Sequence, residues 1–124
     1  MVGIVIVAHS EKLAEGVLDE TKIMADGCPV AAAGGTDEGG YGTSCGKIER
    51  ALRSVLGADG AVILTDMGSA RMSAEMVMDQ LGREDVLLLD CPLVEGAVAA
   101  SLRSVCGGDL AAVRRDALAA GQGG

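Results

Sequence analysis

A chain of 124 residues, 49% of them hydrophobic, has the length for one compact domain and enough apolar material for a core. Its formal charge of −8 repels phosphate backbones and anionic membrane surfaces, and with Tyr41 as the only aromatic it lacks stacking platforms for single strands. Those features disfavour nucleic acid and lipid, whereas a partner with a basic face would be steered towards the chain.

No segment approaches the ~20 apolar residues of a membrane span, and the start lacks the basic n-region of a signal peptide. Cys28, Cys45, Cys91 and Cys106 show no CxxC spacing, which removes the usual zinc and redox motifs. They read as small buried hydrophobes in a reducing compartment, so the expected location is cytoplasmic, with no metal.

In chain order, Val2 to Ala8 is a β-branched apolar run, predicting a strand covered on both faces. Ser10 can cap the helix that follows, with Leu13, Val17 and Met24 on its apolar side and Gly27 as its stop. Cys28 to Ala33 is a weaker second strand. The glycine-rich stretch 35–46, which holds Thr36, Asp37, Tyr41, Thr43 and Ser44, is too long and irregular for a simple connection and reads as a functional loop. Ile48, Leu52, Val55 and Leu56 then mark a helix.

Ala61 to Thr65 is the third strand, leading into Asp66-Met67-Gly68-Ser69. Ser69 reads as the N-cap of a helix with Met72, Met76, Val77 and Leu81 on one side, ended by Gly82. Met72, Met76 and Met78 are expected to pack rather than to form a binding stripe. Val86 to Leu89 is the fourth strand. Val94, Val98, Leu102 and Val105 mark a further helix, and Asp109 caps a last one through Leu110, Val113 and Ala117. One domain over 1–120 with a frayed tail at 121–124 is expected. The alternation of strands and helices predicts a doubly wound, mostly parallel α/β sheet of four or five strands with helices on both faces.

Ligands of such sheets sit beyond the carboxyl ends of the strands, where strand order reverses. The first and third strands bring His9-Ser10 and Asp66-Met67-Gly68-Ser69 to that place. His9, the only histidine, stands immediately before a helix start, where backbone N–H groups favour an anion, and a neutral imidazole is a nucleophile near neutral pH. Asp66 could hold one ring nitrogen and leave the other free, or it could merely turn the chain or cap a helix. Ser10, Gly68 and Ser69 could donate to phosphate oxygens, although capping alone accounts for both serines. Thr43 and Ser44, opening a third helix, carry the same ambiguity. No Walker lysine precedes the Thr-Ser pair, so nucleotide cradling is disfavoured. A Cys–His hydrolase using Cys91 or Cys45 would need a thiolate that nothing around either cysteine predicts.

Ile-Val-Ile-Val-Ala-His-Ser (4–10), Thr-Asp-Met-Gly-Ser-Ala (65–70) and Cys-Pro-Leu-Val-Glu-Gly-Ala (91–97) together resemble the EIIA domain of the mannose-type phosphotransferase system. The likeness covers about residues 1 to 120 and is greatest to its dihydroxyacetone kinase branch, the DhaM subunits. The resemblance implies a flavodoxin-like three-layer sandwich that commonly dimerises. It implies that His9 takes phosphate from phospho-HPr, that Asp66 orients the ring, and that Ser69 belongs to the phosphate loop. The phosphate would then pass to ADP on DhaL, while DhaK presents dihydroxyacetone. No bound cofactor is implied, only phosphate carried covalently on His9. Some members of the branch continue into HPr-like and enzyme I-like domains, which this chain would borrow from other proteins. Two alternatives stand beside this reading: a sugar-specific EIIA that serves a transporter subunit, and a non-enzymatic flavodoxin-like binding module.

Overall fold

The computed structural model describes residues 1–121, so all of the tail expected at 121–124 except Gly121 lies outside the described residues. Its centre is β1 (Gly3–Ala8), in which every residue is buried. A strand of this kind, apolar on both sides of its pleat, satisfies its burial only with helices above and below it. The chain supplies them through α1 (Glu11–Met24), β2 (Val30–Gly34), α2 (Cys45–Val55), β3 (Ala61–Thr65), α3 (Gly68–Leu81), β4 (Val86–Leu89), α4 (Leu93–Val105) and α5 (Leu110–Ala119).

The four strands form one sheet in the order β2-β1-β3-β4, and every pairing is parallel. The four-strand form of the expected sheet is therefore the one observed among the described residues. Alternation along the strands divides the interior in two. Val2, Ile4, Ile6, Ala8, Val62 and Leu64 pack beneath α1, α4 and α5. Val5, Val7, Ala61 and Ile63 pack beneath α2 and α3. Each fully buried Val, Ile or Leu of this set contributes about 1.5–3 kcal/mol, so the two half-cores dominate the stability of the fold.

Several predicted helix faces differ from those observed. On α1, Ala14, Val17 and Thr21 are buried, whereas Leu13 and Met24 are exposed. On α4 the buried positions are Gly96, Ala97, Ala100, Ser101 and Ser104, whereas Val94 and Leu102 are exposed. On α3, Ala70, Ala74 and Val77 face the sheet, while Met72 is 68% and Met76 57% exposed. At roughly 100° per residue, Met72 and Met76 stand on the far side of the helix from Ala70. Among these methionines, only Met78 packs against the core as expected. The physical reason is shared. The strands carry the bulky side chains, so the helices approach them through small ones, and Ser101 and Ser104 bury their hydroxyls by donating to Ala97 O (2.7 Å) and Val2 O (2.6 Å).

Strand order reverses between β1 and β3, since the chain leaves β1 towards β2 on one side and leaves β3 towards β4 on the other. Their register pairs Val7 with Thr65, and the Asp66 N–H extends the ladder by donating to Val7 O at 3.1 Å. His9 and Asp66 therefore emerge side by side at the carboxyl end of the sheet.

Candidate functional site

The His9 imidazole is held along two edges and one face. Its Nδ1 lies 3.0 Å from Asp66 Oδ1, and its backbone N–H donates to Asp66 Oδ2 at 3.1 Å. An ionised carboxylate only accepts, so Nδ1 carries the proton and Nε2 presents its lone pair. The Ser69 hydroxyl meets that lone pair. Both halves of the contact are well buried, with 8% of the His9 side chain and 11% of the Asp66 side chain exposed. The histidine is thus more enclosed than a residue expected in an open crevice.

The third contact comes from Tyr41. Its ring lies offset over the imidazole, with centroids 5.4 Å apart and planes inclined by 27°. Sequence reasoning placed Tyr41 in the functional loop but assigned it no role at the site. The available signal was the position of the only aromatic among closely spaced glycines.

The glycine-rich loop is tied to the strand ends. Gly35 N–H donates to Ala8 O at 3.2 Å and Gly42 N–H to His9 O at 2.9 Å. Gly42 has φ +144°, and a Cβ there would lie 2.9 Å from the Thr36 methyl, so both its conformation and its surroundings require glycine. At Gly34 an added Cβ would stand 2.7 Å from Ser10 O and from the Ala14 side chain, and that absence lets β2 lie against the start of α1.

Each remaining candidate has a definite place. Ser10 caps α1, its Oγ accepting from Leu13 N–H at 3.3 Å. Ser44 caps α2 by accepting from Lys47 N–H at 3.1 Å, and it donates to Asp37 Oδ1 at 2.7 Å. Thr43 Oγ1 pairs with Ser73 Oγ at 2.7 Å, fixing the loop's exit to α3. Ser69 is not the N-cap predicted for α3. The helix begins at Gly68 after Met67, which makes no side-chain cap, and the Ser69 hydroxyl is engaged by the imidazole instead. The helix α3 thus opens against Nε2, and the first N–H groups of a helix have no partner within it and favour negative charge.

A shallow groove of about 640 Å³ runs beside the site, lined among others by Glu11, Glu15, Asp19 and Tyr41, with Lys12 as the one cation against three carboxylates. It presents carboxylates, so it suits a basic surface rather than a free anion. Among the described residues, no group of three or more His, Cys, Asp or Glu side chains is gathered as a metal site requires.

The cysteines sit apart from this chemistry. Burial, reinforced by the charge of Asp90, pushes the Cys91 thiol up to about 11, and burial also raises Cys28. At pH 8, a thiol titrating near 11 is ionised in roughly one molecule in a thousand. We therefore expect a disulfide reagent at pH 8 to modify exposed Cys106 at least about tenfold faster than Cys91. The Cys91 rate should climb as pH is raised towards 11. Equal rates at pH 8 would remove this account of Cys91.

The fold agrees with the comparisons to known proteins. Residues 3–114 match the EIIA-man family, described as the PTS system fructose IIA component. The phosphoryl donor subunit DhaM of the PEP-dependent dihydroxyacetone kinase of Escherichia coli K12 is 41% identical over 125 residues, covering 95% of this chain and 26% of that protein. The phosphotransferase subunit DhaM of the PTS-dependent dihydroxyacetone kinase of Lactococcus lactis is 33% identical, covering 90% of this chain and 89% of its own. The chain thus spans about a quarter of the length of some relatives and most of others. Among solved structures, the unknown function protein EF1359 superimposes with a TM-score of 0.85 at 27% identity, over 100% of this chain and 98% of that one.

Proposed function

We propose, from the premise that the chain belongs to the EIIA-man family of phosphotransferase-system components, that it relays a phosphoryl group on His9 Nε2 from phospho-HPr to ADP held on DhaL. The observation that carries this reading is the pairing of Nδ1 with Asp66 Oδ1 at 3.0 Å, which leaves Nε2 facing the first turn of α3. Relatives named as phosphoryl donor subunits of dihydroxyacetone kinase, at 33–41% identity, support the branch.

In this mechanism the Nε2 lone pair attacks the phosphorus of phosphohistidine on the donor. The new P–Nε2 bond forms as the donor's P–N bond breaks, and the electron pair of that bond returns to the donor's ring. Nδ1 keeps its proton, so the ring becomes an imidazolium, and Asp66 stabilises the charge that appears. The Ser69 hydroxyl, displaced from Nε2, donates to a phosphoryl oxygen, and the N-terminal ends of α1 and α3 supply positive field. Phosphoryl transfer needs little covalent assistance beyond such positioning and charge stabilisation. Onward transfer reverses these changes, with a terminal oxygen of ADP as nucleophile. Tight binding of the phosphoryl group would oppose that second step, and the site offers one hydroxyl and helix ends rather than a cluster of cations.

Four cysteines outside any disulfide support a reducing, cytoplasmic setting. No helix among the described residues is long and apolar enough to cross a membrane.

The test is a two-step transfer. Chain phosphorylated by phospho-HPr is mixed with DhaL–ADP or with the cytoplasmic subunit of a sugar transporter, and the label is followed. We expect ATP on DhaL and little movement to the transporter subunit. Transfer to the transporter subunit instead would assign the chain to a sugar-specific branch, the reading that the description of the family as a fructose IIA component favours.

A further inference from the structure

A phosphoimidazole must last long enough to meet its acceptor, yet water, a competing nucleophile, is always present in far greater number than any partner. Three contacts enclose the His9 ring, and only two of them have a part in the transfer described above. Asp66 occupies the Nδ1 edge and Ser69 the Nε2 edge. The third is the Tyr41 ring over one imidazole face, and Tyr41 itself is 72% exposed. An aromatic ring so exposed gains little from burial, so its placement asks for another explanation.

The loop gives that placement precision. Gly42, the next residue, donates its N–H to the carbonyl of His9 at 2.9 Å. Gly40, the preceding residue, is bonded twice to Thr36: its N–H donates to Thr36 Oγ1 at 2.9 Å and its carbonyl accepts the Thr36 N–H at 3.0 Å. Tyr41 is thereby registered to the backbone of the residue it covers. Its ring also borders the acidic groove on α1, so a docking basic partner meets Tyr41 before it meets the imidazole.

We propose that Tyr41 is a positioning residue that covers the phosphorylated His9 ring and slows its hydrolysis until a partner docks. This rests on the reading that His9 carries the phosphoryl group. In hydrolysis a water oxygen bonds to phosphorus and the P–Nε2 bond breaks. The bonding pair returns to the ring nitrogen, the water proton goes to solvent, and the products are inorganic phosphate and neutral imidazole. The positive charge of the ring is therefore lost along this path. An aromatic face within ~6 Å stabilises the cation and so opposes its loss, and the ring also blocks approach of water from that side. Both effects have the same sign. Neither needs the phenolic hydroxyl, so phenylalanine should serve as well as tyrosine.

The experiment uses the full chain and three variants, Tyr41→Phe, Tyr41→Leu and Tyr41→Ala, each phosphorylated with the small donor phosphoramidate. Phosphohistidine remaining at pH 8 is followed by 31P NMR, with thermal melting checked in parallel. We expect Tyr41→Phe to hold its phosphate within about twofold of the wild type and Tyr41→Ala to lose it about fivefold faster, the scale of one exposed cation–π contact plus added water access. Tyr41→Leu, bulky but not aromatic, should fall between them. Equal half-lives in wild type and Tyr41→Ala, or a Tyr41→Phe as short-lived as Tyr41→Ala, would overturn the role of Tyr41 and leave the carrier reading intact. A wild-type chain that takes no phosphate on His9 would overturn both.

Discussion

His9→Gln should take up no acid-labile phosphate from phospho-HPr, a loss of labelling to background. Glutamine keeps a planar polar end group of similar reach, so it can retain contacts with Asp66 or Ser69, but an amide nitrogen has no available lone pair. The variant should remain folded. The ring nitrogens bond to Asp66 and Ser69, with Tyr41 over one face, and imperfect replacement of such hydrogen bonds costs about 1–3 kcal/mol. A folded variant without label separates nucleophile from scaffold. Retained labelling at the wild-type rate would move the chemistry to another residue.

Asp66→Asn should slow phosphorylation by about 10²-fold or more while leaving the fold unchanged. The reason lies in the two bonds made by the native carboxylate. Oδ2 accepts the His9 backbone N–H and Oδ1 accepts the ring Nδ1–H. Asparagine has one oxygen and cannot serve both. With its oxygen on the backbone N–H, its amide N–H groups face Nδ1 and favour the proton on Nε2, the nitrogen that must attack. With the amide reversed, the backbone N–H is left facing a donor. Either arrangement also removes the negative charge that stabilises the imidazolium. The measurement is the single-turnover rate of labelling from phospho-HPr, with 15N NMR of the ring reporting the tautomer. A rate within about threefold of the wild type, with the proton still on Nδ1, would show that Asp66 does not set the reactive form.

The sheet was legible because its strands are short, unbroken apolar runs between turn signals. The predicted third and fourth strands have the observed bounds, Ala61–Thr65 and Val86–Leu89, and the first differs by one residue. Alternation of strands and helices then implied the reversal of strand order, which brought His9 and Asp66 to one place before any distance was known.

The helix faces were less legible for a reason specific to this composition. A search for spaced Leu, Val and Met residues assumes that helices bury their largest apolar side chains. Here α3 and α4 bury Ala70, Ala74, Ala97, Ala100 and Gly96, and leave Met72, Met76, Val94 and Leu102 outside. A Cβ on Gly96 would lie 2.5 Å from Cys91 Sγ and 3.1 Å from Leu64 Cδ2, which shows how closely α4 approaches its neighbours. Small residues at i, i+3 and i+4 were the pattern to read.

At the site, strand ends could be located from the sequence but hydroxyl partners could not. Ser69 satisfies the rule for an N-cap, and only the position of the imidazole shows that its hydroxyl has another partner. The position of Tyr41 among glycines could have marked it as a candidate, but its partner was out of reach for a similar reason. Its ring reaches His9 because the loop turns back through Gly39 and Gly42, both at positive φ, and composition alone does not specify that path.

The most direct test of the relay is to find which atom holds the phosphoryl group. The chain, labelled uniformly with 15N and phosphorylated by phospho-HPr, can be examined at pH 8 by NMR for coupling between 31P and the ring nitrogens of His9. Coupling to Nε2, with the proton retained on Nδ1 beside Asp66, is the predicted result. Phosphate on Nδ1, or on a serine or cysteine with His9 unmodified, would contradict it.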